Sequence, residues 1–525
     1  MSKKNNVTRR GFIKGTVIAG AGVVAAGALG GGTAAAAVAP VKWDKEADVV
    51  VVGGGGAGCT AAIAAAEAGA KVIVLEFAPN LGGTSAICVG SVTAPLSQMQ
   101  KQKGVQDSVE SYMEDIMHMT GGDANRMDMT LLKWLAENGG PTIDWLAGLG
   151  VKFAGPLEYP EHKALRMHML IPGSYAWPRV LLPIMKQKGV EILLETKGME
   201  LYTDCDRQVL GVKAVDQGSK KTLAIRAKRG VVLAAGDFIG NAEMRMKYMP
   251  KQLATMHPAN PFNDGSGLAM AMAVGADLTV LDDPGFPTLR STSPGPDVAS
   301  TQKQGWMPYS IPDAGAIIVN KQGKRFVSEK APGREMCVAT DKQPGKVCFM
   351  VFDKIVAEIF NKFPMVVSSI PGKGWGTVDD FVATKGIKKA DTIEGLAKEM
   401  GIDPAGLKDE IAKWNAYCKQ GKDPDFSRPT FGHPTPKTVG IGIQAPPFYA
   451  HGPIRTQVIL GNVSTVINTK MQVLDVYGKP IPKLYAGGNM GHGLTFLSGH
   501  GTHMSWAFSS GRAAGKNAAG EKPSA

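Results

Sequence analysis

Residues 47–76 read A-D-V-V-V-V-G-G-G-G-A-G-C-T-A-A-I-A-A-A-E-A-G-A-K-V-I-V-L-E, and no other stretch narrows the choice of fold as far. The run Val49 to Val52 is β-branched and uninterrupted, the pattern of a strand covered on both faces in a parallel sheet. Gly53, Gly55 and Gly58 complete G-x-G-x-x-G; an alanine-rich helical stretch follows, and a second strand, Lys71 to Leu75, ends in Glu76. Each glycine answers a separate requirement: Gly53 permits the tight turn, Gly55 lets the backbone approach a pyrophosphate, and Gly58 lets helix and strand pack closely. The helix N-terminus offers unpaired N–H groups to phosphates. Glu76, 18 residues beyond Gly58, is placed to accept hydrogen bonds from a ribose. A glycine-rich turn alone would explain the loop but not the acid, so the unit predicts an α/β fold that binds a dinucleotide.

The next stretch, N-L-G-G-T-S-A-I-C from Asn80 to Cys88, resembles the G-G-[TN]-[ST] turn of FAD proteins. From there the chain resembles the flavoprotein family of fumarate reductase and 3-ketosteroid dehydrogenase. The resemblance is carried by T-G-G-D-A-N (120–125), I-D-W-L-A-G-L-G-V (143–151), G-V-V-L-A-A-G-D-F-I-G-N (230–241) and N-D-G-S-G (263–267). It continues in G-A-I-I-V-N-K-Q-G-K-R-F (315–326), P-K-L-Y-A-G-G-N-M (482–490) and S-G-H-G-T-H (498–503). It spans roughly residues 45 to 520 and implies a discontinuous Rossmann-like FAD-binding domain with an inserted α+β cap. The expected boundaries are 40–286 and 446–525 for the two parts of the FAD domain and 287–445 for the cap, with proline- and glycine-rich hinges at 282–287 and 429–447. Charge and apolar residues alternate at helical spacing over Asp391 to Lys419, which predicts an amphipathic helix pair in the cap.

The resemblance assigns FAD contacts to Gly53, Gly55, Ala57, Gly58, Glu76, Gly82, Gly83, Thr84, Ser85, Ala235, Gly236, Asp264, Asn489, Gly501 and Thr502. The FAD is expected to be non-covalent, because no histidine stands near the glycine-glycine turn where related succinate dehydrogenases attach it. It also implies the chemistry: flavin N5 exchanges a hydride with one carbon of a C–C bond polarised by a carbonyl or carboxylate, and a side chain exchanges a proton at the next carbon.

The proton donor is less plainly inherited. Fumarate reductases carry an arginine four residues after the glutamate of R-F-x-N-E; here R-F-V-S-E puts Glu329 there, the fourth residue on is Gly333, and the arginine comes one later, at Arg334. The tyrosine that ketosteroid dehydrogenases carry at about this position is absent. Tyr309 and Pro312 stand where the fumarate reductase proton relay would be, and Phe496 where its last substrate arginine would be. Arg334, Tyr309 and His500 are therefore the catalytic candidates, and Arg455, Phe496, His503 and Tyr175 the substrate-binding ones. Against these stand plainer roles: Arg334 as a cap charge paired with Glu335 or Glu329, and Tyr309, Tyr175 and Trp177 as packing residues. His168 is as readily structural. The loss of cationic groups argues against fumarate itself, and Asn489 leans toward the ketosteroid branch.

Composition limits the partners. The chain has 525 residues and a net charge of +12; five of those charges lie among the first 39 residues, leaving +7 for the rest. No long Lys/Arg run is present, which argues against nucleic acid. T-R-R-G-F-I-K (8–14), a short apolar run and an alanine-rich zone ending near Ala39 resemble a twin-arginine export signal over residues 1–39. Export would place the protein in the periplasm or an equivalent compartment. Six scattered cysteines form no C-x-x-C, so neither attached haem nor zinc knuckle is expected, and the histidines show no metal spacing. With one flavin and no relay of its own, the chain is expected to draw electrons from a separate cytochrome or quinol-linked donor, the one route by which it would associate with a membrane. The expected function is reduction of an activated C=C bond of enoate or enone type. The alternatives are dehydrogenation of a cyclic ketone such as a 3-ketosteroid, and a non-catalytic electron-transfer flavoprotein.

Overall fold

The computed structural model describes residues 41–88, 90–119, 127–158, 162–280, 287–291, 305–306, 310–331, 333–362, 365–370, 373–383, 386–429, 442–492 and 501–524. The export signal, Tyr309, Phe496 and His500 lie outside them. Among the described residues no helix is long and apolar enough to cross a membrane.

The chain opens as its first motif predicts. Strand β1 (Lys45–Val52) runs into helix α1 (Gly56–Glu67) and returns as β2 (Val72–Leu75). β1 lies parallel to β2, Val49 opposite Val72 and Val52 opposite Leu75. Its other edge is parallel to a later strand, and the side chains of Val49 to Val52 are buried. β2 pairs in turn with β3 (Glu191–Leu193). An antiparallel excursion, β4 (Thr196–Thr203) and β5 (Val209–Asp216), leads into β6 (Thr222–Leu233), the strand that lies against β1.

A second sheet follows. Its longer strands are β7 (Pro287–Ser291), β8 (Ile317–Val319), β9 (Val347–Asp353), β10 (Ile387–Ala390) and β11 (Phe448–Val458), with helix α2 (Gly333–Asp341) between β8 and β9; the two-residue strands His257–Pro258 and Gly305–Trp306 join it by pairing with β11 and β7. β11 is its central strand, antiparallel to β7, β9 and β10. It lies beyond residue 446, where the sequence places the return to the first domain. The helix pair expected over Asp391 to Lys419 is present as Ile393–Met400 and α3 (Pro404–Gln420). Thr392 and Asp403 cap their N-termini by accepting from Gly395 and Gly406 N–H, and Gly401 and Gly421 end them in the left-handed conformation, the usual chemistry of helix ends. Leu407, Ile411, Trp414 and Cys418 of α3 pack with Val347, Phe349 and Val351 of β9 as a core of their own. A buried ion cluster fixes the surrounding loops. Arg325 binds Glu329 and Asp423, Arg428 lies 3.2 Å from Glu329, and both guanidinium groups lie 4.6 Å from the Trp414 ring centre.

The chain then returns to the first sheet as β12 (Pro480–Ala486), parallel to β6, and ends in helix α4 (Thr502–Ala519). Helix α4 lies directly on α1. A β-carbon at Gly511 would stand 2.1 Å from the Ala57 carbonyl oxygen, and one at Gly515 would stand 2.0 Å from that of Ala61. Small residues four apart on both helices let the backbones meet. Gly515→Ala is therefore expected to destabilise the protein by about 1–3 kcal/mol, the range of an overpacked core, although alanine is the better helix former. Equilibrium denaturation measures this; a neutral or stabilised variant would mean the helices part freely.

Candidate active site

The glycine loop shows which positions are full and which are open. Gly53 has φ +105°, and a β-carbon on it would lie 2.3 Å from the Ala234 carbonyl oxygen; one on Gly58 would lie 1.8 Å from that of Gly53. Gly55 differs: a β-carbon there has Gly82 O, at 3.9 Å, as its nearest neighbour. The loop is closed by protein at its first and third glycines and open at its second, where α1 begins and its N–H groups are free for an anion. The Gly82–Gly83 turn comes up beside it, Gly82 N–H donating to Gly54 O at 2.9 Å.

Glu76 is buried at the end of β2. Its carboxylate accepts from Gly54 N–H at 2.6 Å and from Ala78 N–H at 2.7 Å. Burial pushes the carboxyl up from its usual range, and these backbone donors oppose the shift. The open space at Gly55, the helix N-terminus and the anchored acid together fit an FAD. Gly53, Gly55, Gly58, Gly82, Gly83 and Glu76 converge on this cradle. Ala57 lies in the packed seam between α1 and α4.

A second network stands at the far end of β6. Asp237, 1% exposed, takes four donors: Ile239 N–H (3.0 Å) and Asn263 Nδ2 (3.2 Å) on Oδ1, and Gly461 N–H (2.9 Å) and Asn489 Nδ2 (3.1 Å) on Oδ2. Asn263 also donates to Thr84 Oγ1 at 3.1 Å, and a β-carbon on Gly236 would strike Asn263. One buried carboxylate thus joins Thr84, Gly236 and Asn489, assigned from separate motifs. In the sequence Asp237 stands within G-D-F-I-G-N, where nothing assigns it a role. Its partners lie 2, 26, 224 and 252 residues away, so only the aspartate of G-D-F-I-G-N could have hinted at it.

The remaining positions are more dispersed. Ala235 packs against Gly267 of the helix Ser266–Ala273. Asp264 is taken up by an ion pair with Lys197 and by Ser266 N–H. The Ser85 carbonyl accepts from Trp177 Nε1 at 3.2 Å, and Trp177 is wholly buried against Phe508, a packing residue. Gly501, with φ +83°, precedes α4 and its carbonyl accepts from Thr93 N–H; Thr502 is buried. His503 is half-buried on the first turn of α4. Tyr175 is buried with Arg179 over its ring. His168 is buried with Nε2 2.8 Å from Ser97 Oγ, and burial lowers its pKa to about 4. It stays neutral and structural. Arg334 is exposed in the first turn of α2. Arg455 lies on β11 opposite Val347, with its Nε buried. Arg334 and Arg455 thus belong to the second sheet and its helix, apart from the glycine loop. Among the described residues no His, Cys, Asp and Glu side chains cluster as metal ligands.

Comparison with known proteins follows the same lines. The family model described as FAD binding domain matches residues 48–502. A urocanate reductase of Eggerthella lenta is 31% identical over 491 residues, covering 92% of this chain and 76% of that protein. An acrylate reductase flavoprotein subunit of Shewanella woodyi is 30% identical over 516 residues, covering 95% of both. Among solved structures, the open conformation of a flavocytochrome c3 fumarate reductase superposes with a TM-score of 0.77 at 28% identity, over 91% of this chain and 78% of that one.

Proposed function

This chain belongs to the FAD binding domain family and is an FAD-dependent oxidoreductase of CH–CH and C=C groups; from that premise we propose that it reduces an alkene activated by a carboxylate or carbonyl, other than fumarate. The end-to-end match to a flavoprotein subunit named for acrylate reduction carries this reading. Phe496 stands where the last arginine of the family's dicarboxylate grip would be, and Pro312 where part of its proton relay would be. Non-covalently bound FAD supplies the hydride. The chain's part is to hold the cofactor through the glycine loop, Glu76 and the Asp237 network, and to bring a proton to the neighbouring carbon. Arg334 is the proposed proton donor, with Tyr309 and His500 as the other candidates. Arg455 and His503 are proposed to face the substrate. The electron source is proposed to be a separate cytochrome or quinol-linked carrier reached after twin-arginine export, since the matched relative is itself named a subunit.

The test is anaerobic. The flavoprotein is reduced and the recovery of its visible flavin band is followed as enoates, enones, aryl acrylates and 3-ketosteroids are added. Rapid recovery with an enoate or enone is the expected result. Bleaching of the oxidised form by a saturated cyclic ketone, with no recovery from any alkene, would replace the proposal with a dehydrogenase.

A further inference from the structure

Asp237 is an unusual charge. Burial pushes the Asp237 carboxyl up from its usual range, but each oxygen takes two N–H donors, which leaves no acceptor for a carboxyl proton, so the hydrogen-bond geometry favours the ionised form. All four donors are neutral, and no Lys, Arg or His among the described residues is paired with it. A buried anion without a counter-ion is costly. It is also felt strongly by anything nearby, because little solvent screens it. What lies nearby is the cofactor-binding surface, reached through Asn489 on one oxygen and through Asn263 and Thr84 on the other. The same oxygen that holds Asn489 holds Gly461 N–H, just past the end of β11. The charge therefore joins the cofactor cradle to the sheet that carries Arg455.

We propose that Asp237 is a positioning residue that sets the reduction potential of the bound FAD, its fixed negative charge disfavouring the electron-rich reduced cofactor. This rests on the reading of Thr84, Gly236 and Asn489 as part of the FAD cradle. The measurement is the midpoint potential of the bound flavin, by equilibration with reference dyes, together with FAD affinity by fluorescence titration. Asp237→Asn keeps the shape and removes the charge. It is expected to favour the reduced over the oxidised cofactor at least tenfold relative to wild type, a rise of about 30 mV for a two-electron couple. Adding Asn489→Asp returns an anion to the other end of the same hydrogen bond, and the potential is expected to fall back toward wild type. A D237N protein that holds FAD at an unchanged potential overturns the proposal. Should D237N lose FAD, the double variant decides: restored occupancy and potential support the role, and continued loss overturns it in favour of a purely structural aspartate. Failure of the wild-type protein to bind FAD would instead sink the reading of the cradle itself.

Discussion

Gly58→Val is expected to yield a protein without FAD, its affinity for added FAD reduced at least 100-fold, a difference of about 2.7 kcal/mol. The cause is geometric. A β-carbon at this position lies 1.8 Å from the Gly53 carbonyl oxygen, far inside any contact distance, and both atoms are backbone or fixed to it. No rotamer relieves the overlap, so α1 must move outward or the turn at Gly53 must open. Either movement displaces the N–H groups at the start of α1 that are to hold the pyrophosphate. Because α1 is also pinned beneath α4 through Ala57 and Ala61, the shift strains the final helix, and the thermal midpoint should fall as well. Gly55→Ala provides the contrast. Its β-carbon meets no protein atom closer than 3.9 Å, so the variant should fold and melt like wild-type apoprotein while binding FAD more weakly, since the methyl group stands where the cofactor approaches. Fluorescence titration with FAD and thermal melts of both apoproteins separate the two effects. A yellow Gly58→Val protein of normal affinity would refute the packing role of the third glycine.

That contrast also shows what was legible in the residues. The first motif is local: strand, turn, helix and acid lie within 30 consecutive positions, even though the atom that crowds Gly53 comes from Ala234. The pattern could therefore be read without the fold. The helix pair of the cap was legible for the same reason, because periodicity and caps are written into consecutive residues. Asp237 was not, since nothing beside it distinguishes a buried carboxylate from an exposed one. Its environment is made by Asn263, Gly461 and Asn489, brought together only by folding. Asp264, expected at the cofactor, is held by Lys197 from β4, a partner that no spacing announces. The place of β11 was hidden likewise. Pro446 and Pro447 read as a hinge, but which sheet a strand joins depends on its hydrogen-bonding partners, here β7, β9 and β10.

Arg334→Gln is expected to lower kcat by about 10²- to 10⁴-fold, the usual contribution of a positioned acid, with FAD content and thermal midpoint unchanged. Its position in the fold argues for a task beyond stability. It stands in the first turn of α2, where the helix dipole disfavours a cation by about 0.3–1 kcal/mol, so helix formation gives no reason for an arginine there. Glu329, four residues beyond Arg325, is itself held by Arg325, Arg428 and the Ile318 N–H. Helix α2 meanwhile touches β7 and β11, Asp341 accepting from Thr456 Oγ1 at 3.4 Å, so Arg334 and Arg455 are carried by one packed unit. The split between kinetic constants identifies the role. A loss confined to kcat marks the proton donor, whereas a raised KM with kcat preserved marks a cation that only holds the substrate carboxylate and shifts the assignment to Tyr309 or His500. Activity within threefold of wild type in both constants would return Arg334 to the surface of the cap. Arg334→Lys sharpens the reading: a point charge can hold a carboxylate, but it lacks the planar fork of guanidinium, so a lysine that restores KM without kcat isolates the proton transfer.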